Sequence, residues 1–365
     1  MRGIRMVRDM VTVAALLFMP WLAHAALPGP LERPAQMAAH PDGAVMLAVT
    51  TVASRVVAVG ERGIVVFSDD NGRSWRQASV PVSVSLTAVQ FVDAREGWAT
   101  GHGGVLLHTQ DGGETWSKTL DGVALAQLLL STAQAGQKAA QGDEDEGARQ
   151  VKAAQLMVSD GPDKPFFDVY FSDKNNGYIV GAYNLILRTQ DGGKSWQPWQ
   201  SHIDNSGNLH LYAIRGVGSR LYIVGEQGSV FRSDNGGEDF EAVQTPYEGS
   251  YFNVFVDDTN NLLVSGLRGN AFRSDDNGND WSKVELPSGA SVTGSTRLRD
   301  GRLVLVNQSG QLLLSQDQGG SFDVSPLRQL PPLSGITQSA DDSLIVVGMR
   351  GVSRISLSSV TGSQK

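Results

Sequence analysis

The stretch that decides the fold is residues 86–116, LTAVQFVDAREGWATGHGGVLLHTQDGGETW, which returns as residues 166–196, FFDVYFSDKNNGYIVGAYNLILRTQDGGKSW. Both copies consist of short runs of β-branched and aromatic residues bounded by Gly or Asp, a pattern typical of short antiparallel strands. In the first copy it predicts strand A at residues 86–92, strand B at 97–100, strand C at 105–109, and strand D from Trp116.

Each copy ends in an octet, Ser/Thr-x-Asp-x-Gly-x-x-Trp/Phe, which occurs six times in the chain. The third positions of the octets are Asp70, Asp111, Asp191, Asn235, Asp276 and Asp317. They are 41, 80, 44, 41 and 41 residues apart, so one unit is about 41 residues and the interval of 80 contains one unit plus an insertion. A period near 40 with four short strands per unit predicts the blades of a β-propeller.

The turn between strands B and C counts the blades independently. A Gly-x-x-Gly-like tetrapeptide occurs seven times, at residues 60–63, 101–104, 181–184, 225–228, 266–269, 307–310 and 348–351. We therefore predict an all-β fold, a seven-bladed β-propeller of four-stranded antiparallel blades over residues 45–360. The seventh unit has no octet, so we expect residues 31–39, within an N-terminal segment at 26–44, to supply its outer strand and remove an open edge.

The octets are predicted to be structural. A sharp C–D turn needs a residue of positive φ and side-chain oxygens that bond turn backbone groups, which Gly, Asp and Ser/Thr provide. The closing aromatic residues are expected to pack between blades. These six are Trp75, Trp116, Trp196, Phe240, Trp281 and Phe322.

The first 25 residues have the composition of a secretory signal peptide: three arginines, an apolar run, and the triplet Ala23-His24-Ala25. We expect cleavage after Ala25 and a soluble periplasmic or otherwise exported protein; an uncleaved membrane anchor is the alternative. The chain has no cysteine, which excludes a disulfide scaffold or a lipid-modified lipoprotein. Loss of three Arg and Asp9 with the leader takes the net charge from −8 to −10, which disfavours nucleic acid as a partner.

Residues 86–116 and 166–196 resemble the photosystem II stability/assembly factor family of propellers, a non-catalytic branch of the BNR/Asp-box repeat superfamily that also contains sialidases. The resemblance extends from about residue 45 to residue 357. It implies an exported bacterial factor that binds another protein and holds or helps assemble a membrane or envelope complex, such as a transporter.

The B–C turns should share one face of the disc with the D-to-A crossings, opposite the octets, and we expect partner binding on that face. Arg62, Arg268 and Arg350 could bind a carboxylate or an acidic tail, because guanidinium groups bind carboxylates in a bidentate manner. Pairing of these arginines with Glu61 or Glu226 is the alternative. The remaining candidates in these turns are His102, Tyr183, Asn184, Gln227 and Gln308, with the two glutamates.

The insertion at residues 120–164 should emerge on the same face. Apolar residues at three- and four-residue spacing in 123–135 and 148–158 predict a helical pair joined by an acidic tip. The pair could be a lid or a handle for a partner, or a tolerated surface insertion.

An enzyme is the competing class. A sialidase-like glycoside hydrolase would use the arginines for a substrate carboxylate, Tyr183 as nucleophile and Glu226 as base, but no acidic residue is distinctively placed beside Tyr183. A carbohydrate-binding propeller, with sugars stacked on Trp199 or Tyr212, is a further alternative, although inter-blade packing suits these rings better. The sequence predicts a monomer with no catalytic residues, metal site or cofactor.

Overall fold

The computed structural model describes residues 28–139 and 144–361, and the predicted signal peptide lies outside them. Within this part of the chain, seven antiparallel sheets follow one another in chain order, six of four strands and the last of three. The innermost strands of successive sheets pack against each other around the ring, and that of the seventh packs on that of the first. The seven-bladed propeller is therefore confirmed.

The strands of each blade are numbered from the central channel outward. Blade 1 contains β1 (Met46–Val52), β2 (Arg55–Gly60), β3 (Val65–Ser68) and β4 (Arg76–Gln77); blade 2 contains β5 (Leu86–Phe91), β6 (Gly97–Gly101), β7 (Leu106–Thr109) and β8 (Ser117–Leu120). Blade 3 contains β9 (Phe166–Phe171), β10 (Gly177–Gly181), β11 (Ile186–Thr189) and β12 (Gln197–Pro198); blade 4 contains β13 (Leu211–Val217), β14 (Arg220–Gly225), β15 (Val230–Ser233) and β16 (Glu241–Val243). Blade 5 contains β17 (Tyr251–Val256), β18 (Leu262–Gly266), β19 (Ala271–Ser274) and β20 (Ser282–Val284). Blade 6 contains β21 (Val292–Arg297), β22 (Leu303–Asn307), β23 (Leu312–Ser315) and β24 (Asp323–Val324), and blade 7 contains β25 (Leu333–Gln338), β26 (Leu344–Gly348) and β27 (Gly351–Ile355).

The second strand of every blade forms the core. Runs such as GYIVG in β10 and LIVVG in β26 are buried along their whole length, because neighbouring blades cover both faces of the sheet. The outer strands are two to four residues long and largely exposed, as in β12 and β24. Short outer strands limit the free edge that each blade presents to other chains.

In every octet the hydroxyl of the first residue and the N–H of the seventh donate to the side chain of the third. In the third octet the Thr189 hydroxyl donates to Asp191 Oδ1 at 2.9 Å, and the Ser195 hydroxyl donates to Oδ2 at 2.6 Å. The bonds from Ser195 lower the pKa of Asp191 to about 2. Gly192 and Gly193 have φ of 73° and 77°, and the fourth and fifth residues of the other octets share this left-handed conformation.

The closing aromatic residue of each octet packs against the preceding blade. Trp116 is 6% exposed and lies among Val57, Val59 and Phe67 of blade 1, and its indole N–H donates to the Gly113 carbonyl at 3.1 Å. Trp196, Phe240 and Phe322 are also buried, whereas Trp75 and Trp281 are half-buried. These rings fill the wedge between sheets that fan out from the channel.

The ring closes without a strand from the N-terminal segment, so the prediction for residues 31–39 is wrong. Blade 7 has three strands, and Ala35 donates its N–H to Val80 O beside blades 1 and 2. Leu31 and Ala35 pack on the apolar cluster between those two blades, which holds the segment there.

Closure relies on the inner strands and on the first octet. The Ser334 hydroxyl donates to the Met46 carbonyl at 2.6 Å, and Arg354 Nε donates to the Asn71 carbonyl at 3.0 Å. Beyond β27, the helix α3 (Leu357–Thr361; numbered after the two helices of the insertion) buries Val360 against blades 6 and 7.

The insertion folds as the predicted helical pair, α1 (Gly122–Ala139) and α2 (Glu144–Asp160). Asp121 Oδ1 accepts the N–H groups of Val123 and Ala124, each at 3.1 Å, and so caps α1. Leu125 is fully buried against blades 2 and 3, while α2 packs on α1. No helix in residues 28–139 or 144–361 is long and apolar enough to cross a membrane.

Candidate binding face

The seven B–C turns lie on the face of the disc where the insertion begins, and from there α1 packs along the outer side of blades 2 and 3 toward the third octet. The start of α1 touches the B–C turn of blade 2 so closely that a Cβ on Gly104 would lie 2.8 Å from Gly122 Cα. In blades 1, 3, 4 and 5 the third residue of the turn is left-handed, with φ of 53° at Arg62, 54° at Tyr183, 52° at Gln227 and 56° at Arg268. Non-glycine residues rarely adopt this conformation, and here it directs long side chains into solvent.

The three arginines of the B–C turns are unpaired. Arg62, Arg268 and Arg350 are exposed, and their guanidinium groups make no ion pair or hydrogen bond within the described part of the chain. The two glutamates that could have neutralised them are engaged elsewhere: Glu61 Oε1 accepts the N–H of Val45 at 3.1 Å, and Glu226 Oε2 accepts that of His210 at 2.8 Å. Each glutamate thus caps the start of its blade's inner strand.

The other candidates divide into exposed and buried residues. His102, Gln227 and Gln308 are exposed. Asn184 is only 6% exposed, which contradicts its assignment to a binding surface: its Oδ1 accepts from Asn205 Nδ2 at 2.9 Å, and its N–H donates to Leu209 O at 3.1 Å. The crossing from blade 3 to blade 4 folds over this side chain and buries it.

Most of the exposed apolar side chains lie in the B–C turns and in the insertion. Eight large apolar side chains are exposed in the described residues. Three of them belong to B–C turns, Tyr183, Leu267 and Met349, and three to the insertion, Val123, Leu156 and Val158. Leu267 and Met349 immediately precede Arg268 and Arg350, so apolar and cationic groups alternate along this rim. Clustering of exposed apolar surface marks interaction sites.

A row of aromatic side chains at the channel mouth was not predicted as a group. In every blade the register of the inner strand slips at its second residue, which is a β-bulge. At this position blades 3, 4 and 5 carry Phe167, Tyr212 and Phe252, with centroid separations of 5.3 Å for each neighbouring pair. In blades 2, 6 and 7 it carries a hydroxyl residue that bonds the next blade: Thr87, Thr293 and Ser334.

The channel below this row is narrow and polar. Its cavity has a volume of about 180 Å³ and is lined by the inner strands of all seven blades. Arg215 of blade 4 forms an ion pair there with Asp168 of blade 3, whose carboxylate also accepts the N–H of Ile214 at 3.0 Å. Neither residue was predicted, because both lie within ordinary strand patterns.

Tyr183 does not lie in a nucleophile–base arrangement. Its ring packs edge-on against His210 with centroids 4.5 Å apart, and Lys164 Nζ lies 5.5 Å from the ring centroid. No carboxylate within residues 28–139 and 144–361 bonds its phenol, and Glu226 is bound to His210.

Trp199 is 8% exposed, which contradicts a sugar-stacking role. It lies beneath Arg188 and donates its indole N–H to Gly237 O at 2.9 Å, so it packs between blades 3 and 4.

Comparisons with known proteins agree with this architecture. A family model described as photosynthesis system II assembly factor YCF48 matches residues 43–140 and 146–330. A photosystem II stability/assembly factor HCF136 of Oryza sativa subsp. japonica is 24% identical over 212 residues, half of each chain. The photosystem II assembly lipoprotein Ycf48 of Synechococcus sp. (strain CC9902) is 30% identical over 89 residues, 24% of this chain and 26% of that one. The chain therefore aligns with at most about half the length of these two relatives.

Solved structures share the fold at low sequence identity. A structure of YCF48 bound to D1 peptide has a TM-score of 0.61 and 18% identity over 91% of this chain and 98% of that one. A streptogramin B lyase has a TM-score of 0.63 and 12% identity over 88% and 96%. Propellers of this shape thus include an enzyme, and function has to be argued from the surface.

Proposed function

Because this chain belongs to the photosynthesis system II assembly factor YCF48 family of repeat propellers, we propose that it is a non-catalytic assembly or stability factor. It acts outside the cytoplasm, after removal of its leader, and binds a protein of a membrane or envelope complex such as a transporter. Binding uses the face of the B–C turns. The alignments with the relatives cover only part of those proteins, so the function is argued from the surface of this chain.

The observation that carries the proposal is the set of unpaired arginines beside exposed apolar side chains. Arg268 follows Leu267, and Arg350 follows Met349, in turns held by their own backbone hydrogen bonds. The cations of the octet face are largely paired, as Arg73 is with Asp341 and Arg55 with Asp69. A protein of net charge −8 that leaves the three guanidinium groups of its B–C turns free is suited to bind carboxylates there.

The expected ligand is an acidic, partly apolar protein segment. Carboxylates would bind the guanidinium forks, and apolar side chains would contact Leu267, Met349 and Tyr183. That a related propeller has been solved with a D1 peptide supports a peptide as the kind of ligand. The aromatic row at the channel mouth lies inside this ring of turns and offers further apolar contact area.

We assign the insertion the role of a partner handle on this face. Val123 of α1 and Leu156 of α2 are 55% and 60% exposed, although other positions of the pair are buried against the propeller. An insertion without a binding role would not require large apolar side chains in solvent, so these side chains favour contact with a partner.

The proposal is tested by pull-down from detergent-solubilised envelopes of the source cells. A triple variant, Arg62→Ala, Arg268→Ala and Arg350→Ala, should lose the captured envelope protein, because the cations that bind it are gone. The matched control removes three positive charges elsewhere, with Arg73→Ala, Arg95→Ala and Lys283→Ala, and should retain it. Equal capture by the two variants, with both folded, would refute the assignment of the face.

A further inference from the structure

In five of the six octets, a side chain of the preceding blade donates a hydrogen bond to the carbonyl of the fourth octet residue. At the third octet this bond is missing among the described residues, and a cavity lies there between blades 2 and 3. In the first octet the carbonyl of the fourth residue, Asn71, accepts from Arg354 of blade 7 at 3.0 Å. In the second octet the carbonyl of Gly112 accepts from Arg55 of blade 1, also at 3.0 Å. The preceding blade thus holds each of these turns with a side-chain donor.

The fourth, fifth and sixth octets follow the same rule. The carbonyl of Gly236 accepts from the Tyr178 hydroxyl at 2.8 Å, and that of Asn277 from Arg232 at 3.0 Å. The carbonyl of Gln318 accepts from Asn261 at 2.9 Å. In the third octet the equivalent carbonyl belongs to Gly192, and no donor within residues 28–139 and 144–361 reaches it.

The donors lie at the start of strand B or in strand C, and blade 2 carries Glu96, Trp98 and His108 at these positions. The residue before the octet's first Ser or Thr is Arg188, Arg232 and Arg273 in blades 3, 4 and 5, but His108 in blade 2. The shorter imidazole turns away from Gly192: it stacks on Trp98 with centroids 4.8 Å apart, and its Nε2 lies 2.7 Å from Glu96 Oε2. A volume of about 820 Å³ is left beside the third octet, lined in part by Glu96, Trp98, His108, Gly192 and Trp196.

The polar groups of this cavity point to a ligand. Trp196 is 8% exposed, and its indole N–H is buried without a hydrogen-bond partner, whereas the equivalent N–H of Trp116 is bonded. Glu96 keeps acceptor capacity, since its second oxygen meets only Gln110 Nε2 at 3.3 Å. Lys174 at the rim is already paired with Asp93. Leu120 and Leu128 supply an apolar wall under α1.

We propose that this cavity is a binding site for an arginine side chain presented by a peptide segment of a partner protein. The guanidinium group would donate to Gly192 O and to Glu96, as Arg354 on strand C of blade 7 donates to Asn71 O at 3.0 Å and to Asp341 at 2.8 Å. In blade 3 the equivalent Arg188 instead bonds Glu238 at 2.6 Å, with its Cζ 4.6 Å from the Trp199 ring centroid, which shows a guanidinium group accommodated against an aromatic ring between blades. Residues flanking the arginine would contact Leu120 and Leu128.

The test uses the full chain and the dipeptide acetyl-Leu-Arg-amide, with acetyl-Leu-citrulline-amide as its neutral isostere. Binding is followed by the indole N–H signals of Trp98 and Trp196 in two-dimensional NMR. We expect both signals to move with a Kd of about 1 mM or below, as for a small ligand with several hydrogen bonds, and the citrulline peptide to bind at least about 10-fold more weakly. Absence of a shift at saturating peptide would overturn the proposal.

Variants separate the site from unspecific binding. His108→Arg places an arginine at the vacant position within the chain, so it should raise the unfolding temperature and abolish the response to the peptide. His102→Arg, in the exposed B–C turn of the same blade, adds the same group outside the cavity and should leave binding unchanged. Glu96→Gln, which keeps the side-chain shape, should weaken binding at least about 10-fold. An unaltered response in folded His108→Arg, or in Glu96→Gln, would contradict the assignment. Because none of these changes touches Arg62, Arg268 or Arg350, the outcome is independent of the pull-down described above.

Discussion

Replacing Trp116 by alanine measures how much the octet aromatic residues contribute to the propeller. The side chain is 6% exposed, packs on Phe91 at a centroid distance of 6.1 Å, and bonds Gly113 O. Truncation of a buried Trp costs about 3–5 kcal/mol, from lost burial and the cavity left behind. An unfolding entropy of about 2.1 cal/mol/K per residue, over roughly 315 residues of propeller, converts a loss of about 4 kcal/mol into a Tm lower by about 6 °C.

The assay is chemical and thermal denaturation of the purified protein, with Trp116→Phe as the matched variant. Phenylalanine already closes the octets at Phe240 and Phe322, so this change should cost only about 1–1.5 kcal/mol. A cost below about 1 kcal/mol for Trp116→Ala would refute the reasoning, because a ring wedged between two sheets cannot be removed so cheaply.

Three further outcomes follow from the same contacts. Ser334→Ala removes the hydroxyl that donates to Met46 O across the ring closure and should cost about 1 kcal/mol in denaturant unfolding, with no loss if closure does not depend on it. The hydrogen bonds from Ser195 lower the pKa of Asp191 to about 2, so the stabilisation by the Asp191 carboxylate is present above pH 3.8 and is lost as the pH falls toward 2. Asp191→Asn should therefore make the free energy of unfolding less dependent on pH in this range, and an unchanged pH dependence would contradict this. Replacing residues 122–159 by a short Gly-Ser linker should keep the all-β circular dichroism spectrum but reduce envelope-protein capture, and unchanged capture would rule out the handle.

The sequence predicted the blades well because the octet turn is a local structure that requires an unusual combination of residues. Two left-handed residues in a row, an Asp that bonds its own turn, and a closing aromatic ring leave a pattern that survives even where Asn235 replaces Asp. The same reasoning located Arg62, Arg268 and Arg350, because a turn of fixed length places its middle residues in solvent.

Other features had no local signal. The bulged residues Phe167, Tyr212 and Phe252 look like ordinary strand residues, and only the register slip turns them toward the channel mouth. Asn184 has the composition of a surface turn but is buried by a loop about 20 residues further along the chain. An outer strand of two residues is too short to be recognised from its sequence pattern. The strand predicted at residues 31–39 therefore rested only on the argument that an incomplete blade needs an outer strand.

The most direct test of the account is photo-crosslinking from two exposed apolar positions on different parts of the disc. Met349 is 62% exposed in a B–C turn, and Val324 is 43% exposed on the outer strand of blade 6. With benzoylphenylalanine at either position, illumination in intact cells should join Met349, but not Val324, to a membrane or envelope protein, and Arg350→Ala should abolish the adduct. Adducts of equal yield from both positions, or from position 324 alone, would show that the face of the B–C turns is not where this propeller binds its partner.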